Sequence, residues 1–252
     1  MTPWQAHRLL RQTVCCNFNP RGVFMNRTLL LASAAVLALS VGGAASAKPA
    51  HPGVAGPKGH YVHQTIFKSQ RGASTLYDQT DNDTGVGIVS DNFDSGSFDS
   101  FDNQGADDFT VPSGHKWVVS EVDAPGAYFN GSGPQDGVNV FFYKNKSGVP
   151  GKIAAEVDNV SPTDSAGSFS LKVGKVKLKP GTYWVSVQAN MNFVGGQGEW
   201  GWETSGTQHG SVAMFRSAGG FGCTDWAPMQ SCIGSYGEGP DFMFTLKGKD
   251  KG

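Results

Sequence analysis

Short runs of alternating apolar and polar residues, each closed by a turn-forming cluster, dominate the chain from Asp107 onward. They read DDFTV, HKWVVSEVDA, GVNVFFYK, KIAAEVDNV, GSFSLKV, KVKLK, GTYWVSVQA, GEWGWET and PDFMFTLKG. A period of two sends successive side chains to opposite faces of a strand, and no stretch carries the 3.6-residue period of an amphipathic helix. The breaks are NGSGPQDG, KSGVPG, SPTDSAG, KPG and VGGQG, residue types that tolerate the dihedrals of tight turns. About nine short strands with this punctuation predict an all-β chain: an antiparallel β-sandwich, jelly-roll-like, with one disulfide. Alternation names the inward set. It comprises Phe109 and Val111; Val138, Val140 and Phe142; Phe169, Leu171 and Val173; Val176 and Leu178; Tyr183, Val185, Val187 and Ala189; Phe242, Phe244 and Leu246. At about 1.5–3 kcal/mol per large side chain buried, that set is enough for one core.

The N-terminal 47 residues have a different character. Met25-Asn26-Arg27 forms a short positive region, Leu29 to Gly43 an apolar run, and Ala45-Ser46-Ala47 a small-residue cleavage site. The alternative is a single membrane anchor, against which the run is shorter than the roughly 20 residues of a spanning helix and is followed directly by the cleavage site. Residues 1–47 are therefore expected to be a signal peptide, of ordinary length if it starts at Met25, removed near Ala47 to leave a secreted protein with no membrane span. Residues 48–73, rich in Gly, Pro, Lys and His, read as a linker in which YVHQTIF could add an edge strand; 74–252 reads as a single sandwich domain.

Loss of Arg8, Arg11, Arg21 and Arg27 with the leader leaves 16 basic residues against 21 acids, a net charge of −5. No basic stripe exists for nucleic acid to follow, which excludes it as an expected partner. Cys15 and Cys16 also leave. The remaining pair, Cys223 and Cys232, closes a short loop in an oxidising compartment and is expected to be a disulfide.

Three of the six tryptophans lie between residues 181 and 206. In GTYWVSVQA, Trp184, Ser186 and Gln188 share the face opposite the apolar set. A face carrying Trp with Ser and Gln resembles the stacking platforms of sugar-binding sandwiches; the alternative is a Trp covered by a loop. Trp200 and Trp202 share one face of GEWGWET and either complete the core or extend that stripe. Trp226, between the cysteines, is expected to pack against their disulfide. Tyr128 and Phe129, in PGAYFNGSGP, read as loop-tip aromatics. Trp184, Gln188 and Tyr128 are thus the candidate ligand-binding residues, with an extracellular polysaccharide or envelope component as the partner.

The stretch from Tyr77 to Asp108 is acidic and rich in Gly and Ser. Asp78, Asp81 and Asp83 precede Gly85 at a spacing that supplies oxygen donors to a turn, as a structural calcium site requires; the alternative is a solvated loop. The spacing lacks the twelve-residue pattern of an EF-hand. No GxSxG, HExxH, Walker loop or GxGxxG occurs, and His60, His63, His115 and His209 stand apart along the chain.

The ordered series GTYWVSVQA, GEWGW, GGFGCTDW, a second Cys and PDFMFTLKG resembles a β-sandwich module that recurs in secreted bacterial proteins, alone or appended to larger extracellular proteins including proteases. FTVPSGHKWVVSEVDAPGAYFNGSGP and VNVFFYKNKSGVPG extend the likeness over about residues 107–248. The resemblance implies a non-catalytic extracellular module with a cysteine pair at Cys223 and Cys232 and no catalytic residues to carry over. The functional expectation is an exported, non-enzymatic sandwich that binds a glycan or cell-envelope polymer. Its alternatives are an adhesive surface protein with a protein partner, and a hydrolase with dispersed catalytic residues.

Overall fold

Strands account for almost all of the regular structure. In chain order they are β1 (Ser74–Asp78), β2 (Asp83–Val89), β3 (Asp91–Phe93), β4 (Asn103–Val111), β5 (Trp117–Ala124), β6 (Gly126–Phe129), β7 (Gly137–Lys146) and β8 (Val149–Val160). There follow β9 (Thr163–Ser165), β10 (Ser168–Leu178), β11 (Gly181–Met191), β12 (Glu199–Ser205), β13 (Met214–Ser217), β14 (Ala227–Pro228), β15 (Asp241–Phe242) and β16 (Thr245–Asp250). One short helix, α1 (Met229–Ile233), and a 3₁₀ turn at Asp99–Phe101 complete the inventory among the described residues. The computed structural model describes residues 52–56, 73–94, 96–236 and 238–252. All of them belong to one compact unit, Ser46–Gly252. The expected signal segment, YVHQTIF, His60 and His63 lie outside the described residues. None of the described helices is long and apolar enough to cross a membrane.

The strands form three sheets. One runs β1-β16-β5-β10-β9, a second β14-β13-β4-β11-β7-β8 with β3 beside β11, and a third β15-β12-β2 with β6 beside β12. Pairing is antiparallel throughout except for β3 on β11. Strands β4, β5, β6 and β7 fall in the second, first, third and second sheets in turn, so the chain changes sheet at every step, as in a jelly roll. Every member of the inward set is buried and belongs to one hydrophobic cluster that draws on all three sheets. The runs GSFSLKV and KVKLK are a single strand, β10, whose register slips between Lys172 and Val176. That bulge explains how Val173 and Val176, an odd number of residues apart, both face the core.

Trp200 and Trp202 resolve to core, each fully buried. They form a ladder with Phe169 and Phe242, with ring centroids 4.8, 6.2 and 4.5 Å apart along Phe169, Trp200, Trp202 and Phe242. Each indole N–H donates to a backbone carbonyl, Trp200 to Gly167 and Trp202 to Met243, both at 2.7 Å. Burying large rings this deeply requires such partners. Gly126 faces the ladder because a Cβ there would collide with the Trp200 indole.

Three features add to the sequence reading. Within the segment read as linker, Ala55 makes an isolated bridge to Ile88 of β2, with Val89 N donating to Val54 O and Gly56 N to Gly87 O. The acidic stretch is not one loop, since it holds β2 and β3 and the start of β4. Finally, β12 is buried on both faces, so Glu199 and Glu203 are inside as well as the tryptophans. Glu199 compensates by accepting from Gly53 N and from Asn130 Nδ2, each at 2.6 Å.

Candidate functional site

The second sheet comes apart in its middle. Strand β4 pairs with β11 only from Asp107 to Val111; its first residues, Asn103–Ala106, pair with β13 instead, while the end of β11 pairs with β3. The backbone groups left between the diverging strands need partners. Gln188 supplies one side, its Nε2 donating to Asn103 O at 2.8 Å and to Asp91 O at 3.3 Å. Ser90 supplies the other, donating to Val187 O and accepting from Gly105 N.

On the outer side of this split lies a groove of about 350 Å³, lined among others by Asn92, Asp102, Gln104, Gln188, Arg216 and Thr224. Arg216 sits opposite Gln104 in the β13/β4 register. Alternation along β13 turns Phe215 into the core and Arg216 outward. Its Nε donates to Gln104 Oε1 at 2.9 Å and its Nη2 to the same oxygen, and Nη2 reaches Tyr143 Oη at 3.5 Å. The guanidinium carbon lies 4.6 Å over the Trp226 ring centroid, a cation–π contact that fixes the plane of the head group. Asp102 Oδ1 accepts from Phe93 N at 2.8 Å. Burial raises the Asp102 carboxyl above its ordinary range; the Phe93 bond pulls the other way, and nearby Asp99 adds to the rise.

The loop that carries Thr224 and Trp226 is pinned at both ends. Cys223 and Cys232 form the expected disulfide, with Cα atoms 5.4 Å apart. Ser217 N donates to Cys223 O, and Phe215 pairs with Ala227. Trp226 itself packs edge-on against Tyr143, with ring centroids 5.6 Å apart, lies under Arg216 and flanks the cluster of Trp184 and Met214.

Of the sequence-predicted ligand residues, one reaches the groove. Gln188 lines it, buried to 8 % exposure, with its amide nitrogen committed to the backbone. Trp184 is not an exposed platform: it is 0 % exposed. It shares a second apolar cluster with Ala106, Tyr143 and Met214, flanked by Val212 and Trp226, and its Nε1 donates to Asn145 Oδ1 at 3.0 Å. The outward face of β11 is therefore covered by a further layer of chain. Tyr128 is not at a loop tip either. It lies in β6 opposite Trp200, half buried, with its hydroxyl donating to Asp164 Oδ2 at 2.7 Å and accepting from Gln135 N. Phe129 beside it is buried.

Of the carboxylates suggested for calcium, Asp78 and Asp83 each serve a local turn and Asp81 pairs with a distant histidine. Asp78 Oδ1 accepts from Thr80 N and Oγ1, Asp83 Oδ1 accepts from Gly85 N at 2.7 Å, and Asp81 Oδ1 lies 2.7 Å from His209 Nε2. Among the described residues, no group of three or more His, Cys, Asp or Glu side chains is placed to hold a metal ion. These three are not drawn into a cage because β2 begins at Asp83 and carries it away along the strand.

The two described histidines are paired rather than isolated, His209 with Asp81 and His115 with Asp250 at 2.6 Å. Both pairs are on the surface, neither lines the groove, and neither imidazole has a serine or threonine hydroxyl among its partners. Sequence reasoning missed Arg216, Gln104, Asn92 and Asp102, which no motif unites. Compared with known proteins, the chain matches no protein-family description, no curated protein and no solved structure.

Proposed function

We propose that this chain is an exported, non-catalytic β-sandwich that binds a glycan or cell-envelope polymer in the groove beside Arg216. The observation that carries the reading is the lining of that groove: amide, carboxyl, hydroxyl and guanidinium groups side by side, with Trp226 against the arginine. Several polar atoms there have no partner among the described residues, notably Gln188 Oε1, Asp102 Oδ2 and Arg216 Nη1. Mixed planar donors and acceptors of this kind suit a polyhydroxylated ligand, whose hydroxyls both give and take hydrogen bonds. The disulfide and the leader-like N-terminus support export. The test is depletion of the protein from solution by a panel of insoluble polysaccharides and envelope fractions. Arg216→Ala should abolish retention of the folded protein; equal retention of wild type and Arg216→Ala would sink the groove as the site.

A second reading has one observation in its favour. Strand β8 is 12 residues long and ends its sheet among the described residues, with Ile153 44 % exposed. An adhesive protein could add a partner's strand there. Against this, β8 has three register irregularities with β7 and projects Lys152, Glu156 and Asp158, devices that discourage edge pairing. The groove reading stands first.

A further inference from the structure

Arg216 is positioned by neutral groups alone. Gln104, Tyr143 and Trp226 hold it from one side and one face. None is a counter-ion, and among the described residues Arg216 makes no ion pair with any carboxylate. The other half-buried or buried cation for which contacts are described, Lys247, is met by Glu121 and Asp123. A partly desolvated guanidinium without a counter-charge is costly. Here it is also immobilised, so the entropy of ordering its long side chain is spent before any ligand arrives. One edge, Nη1, is left for something outside the protein, and it belongs to a residue lining the groove.

We propose that the groove is a receptor for an acidic glycan, with the Arg216 guanidinium taking an anionic substituent of the sugar, a carboxylate or a sulfate, and Gln188, Asn92 and Asp102 taking neighbouring hydroxyls. The inference rests on the glycan reading above and narrows it to a charge class. Guanidinium is matched to planar or tetrahedral oxyanions because two of its N–H groups can meet two oxygens at once. The acidic balance of the chain after leader removal does not oppose such a ligand strongly, since charges beyond about 8 Å are screened at physiological ionic strength.

The test is affinity electrophoresis and titration calorimetry of the protein with four polymers: polygalacturonate, its methyl ester, a sulfated galactan and a neutral β-glucan. Wild type should prefer polygalacturonate to its methyl ester, or the sulfated to the neutral polymer, by about tenfold or more, the usual worth of a charge-assisted hydrogen-bonded pair. Which acidic polymer wins identifies the substituent. Arg216→Gln should erase the preference, and Arg216→Lys should keep part of it. Equal affinity for acid, ester and neutral polymers would overturn the charge inference and leave the glycan reading standing. A preference that survives in Arg216→Gln would overturn the assignment to Arg216. Retention by no polymer would remove both. If Arg216→Gln fails to fold, the acid-against-ester comparison on wild type decides the charge class alone.

Discussion

Acidification should stabilise this protein, against the usual behaviour of a chain rich in carboxylates. Glu199 is the clearest case: it is 0 % exposed and its pKa is raised from 4.5 to about 8. Burial does this, opposed by the bonds from Asn130 and Gly53. Asp241 is raised to about 7 for the same first reason, and Asp91 and Asp107 are raised well above their ordinary range. For a carboxyl whose pKa is higher folded than unfolded, the native state binds the proton more tightly. Its contribution is complete below the unfolded value and is lost as pH rises through the folded value. Between pH 5 and pH 8 Glu199 alone should therefore cost about 2–4 kcal/mol of stability, at 1.36 kcal/mol per pH unit. In a domain of about 200 residues that lowers Tm on the order of 10 °C. Asp81, held below its ordinary range by His209, works in the other direction, but it is exposed and screened. The assay is a thermal melt at pH 5, 6, 7 and 8 in constant salt, on wild type and Glu199→Gln. The glutamine can accept from Gly53 N and donate to a turned Asn130 amide, so its Tm should match wild type at pH 5 and fall less by pH 8. A wild-type Tm that is flat or rises from pH 5 to 8, or an unchanged slope in the variant, would refute the reasoning.

Three further outcomes are expected. Trp184→Ala should cost about 3–5 kcal/mol in urea denaturation, the range for emptying a buried indole site. Reducing Cys223–Cys232 should lower stability by about 2–3 kcal/mol for a loop of this size. It should also weaken polymer retention, because that loop carries Thr224 and Trp226; denaturation midpoints and depletion with and without reductant would show both. Lys247→Met should cost about 3–5 kcal/mol, since Glu121 and Asp123 would remain buried without their cation; an equilibrium unfolding curve closer to wild type than that would mean the carboxyls simply take up protons.

The core was legible because alternation is a local property. The inward residues that alternation names between Phe109 and Leu246 are all buried, although the set left out β5, whose Trp117, Val119 and Val122 join the same core. What alternation cannot report is whether anything covers the outward face. Trp184 does point away from the main core, yet Met214, Val212 and Trp226, distant in the chain, close over it. The same limit hid the buried Glu199, which is enclosed in part by Gly53 from a segment read as linker. Tyr128 was misread because β6 has only four residues between turn signals, too few to show a period. The groove was invisible for a different reason. Its polar lining comes from β3, β4, β11, β13 and the disulfide loop, and it exists because β4 leaves β11 for β13, a change of partner that no single segment records.

The aromatic ladder gives the protein a built-in optical reporter. Trp200 and Trp202 lie with their rings 6.2 Å apart and 25° from parallel, close enough for their electronic transitions to couple. The folded protein should therefore show an exciton couplet in circular dichroism superimposed on its sheet spectrum. Light absorbed there reports side-chain packing directly, so loss of the couplet before loss of the sheet signal would distinguish a loosened core from an unfolded chain.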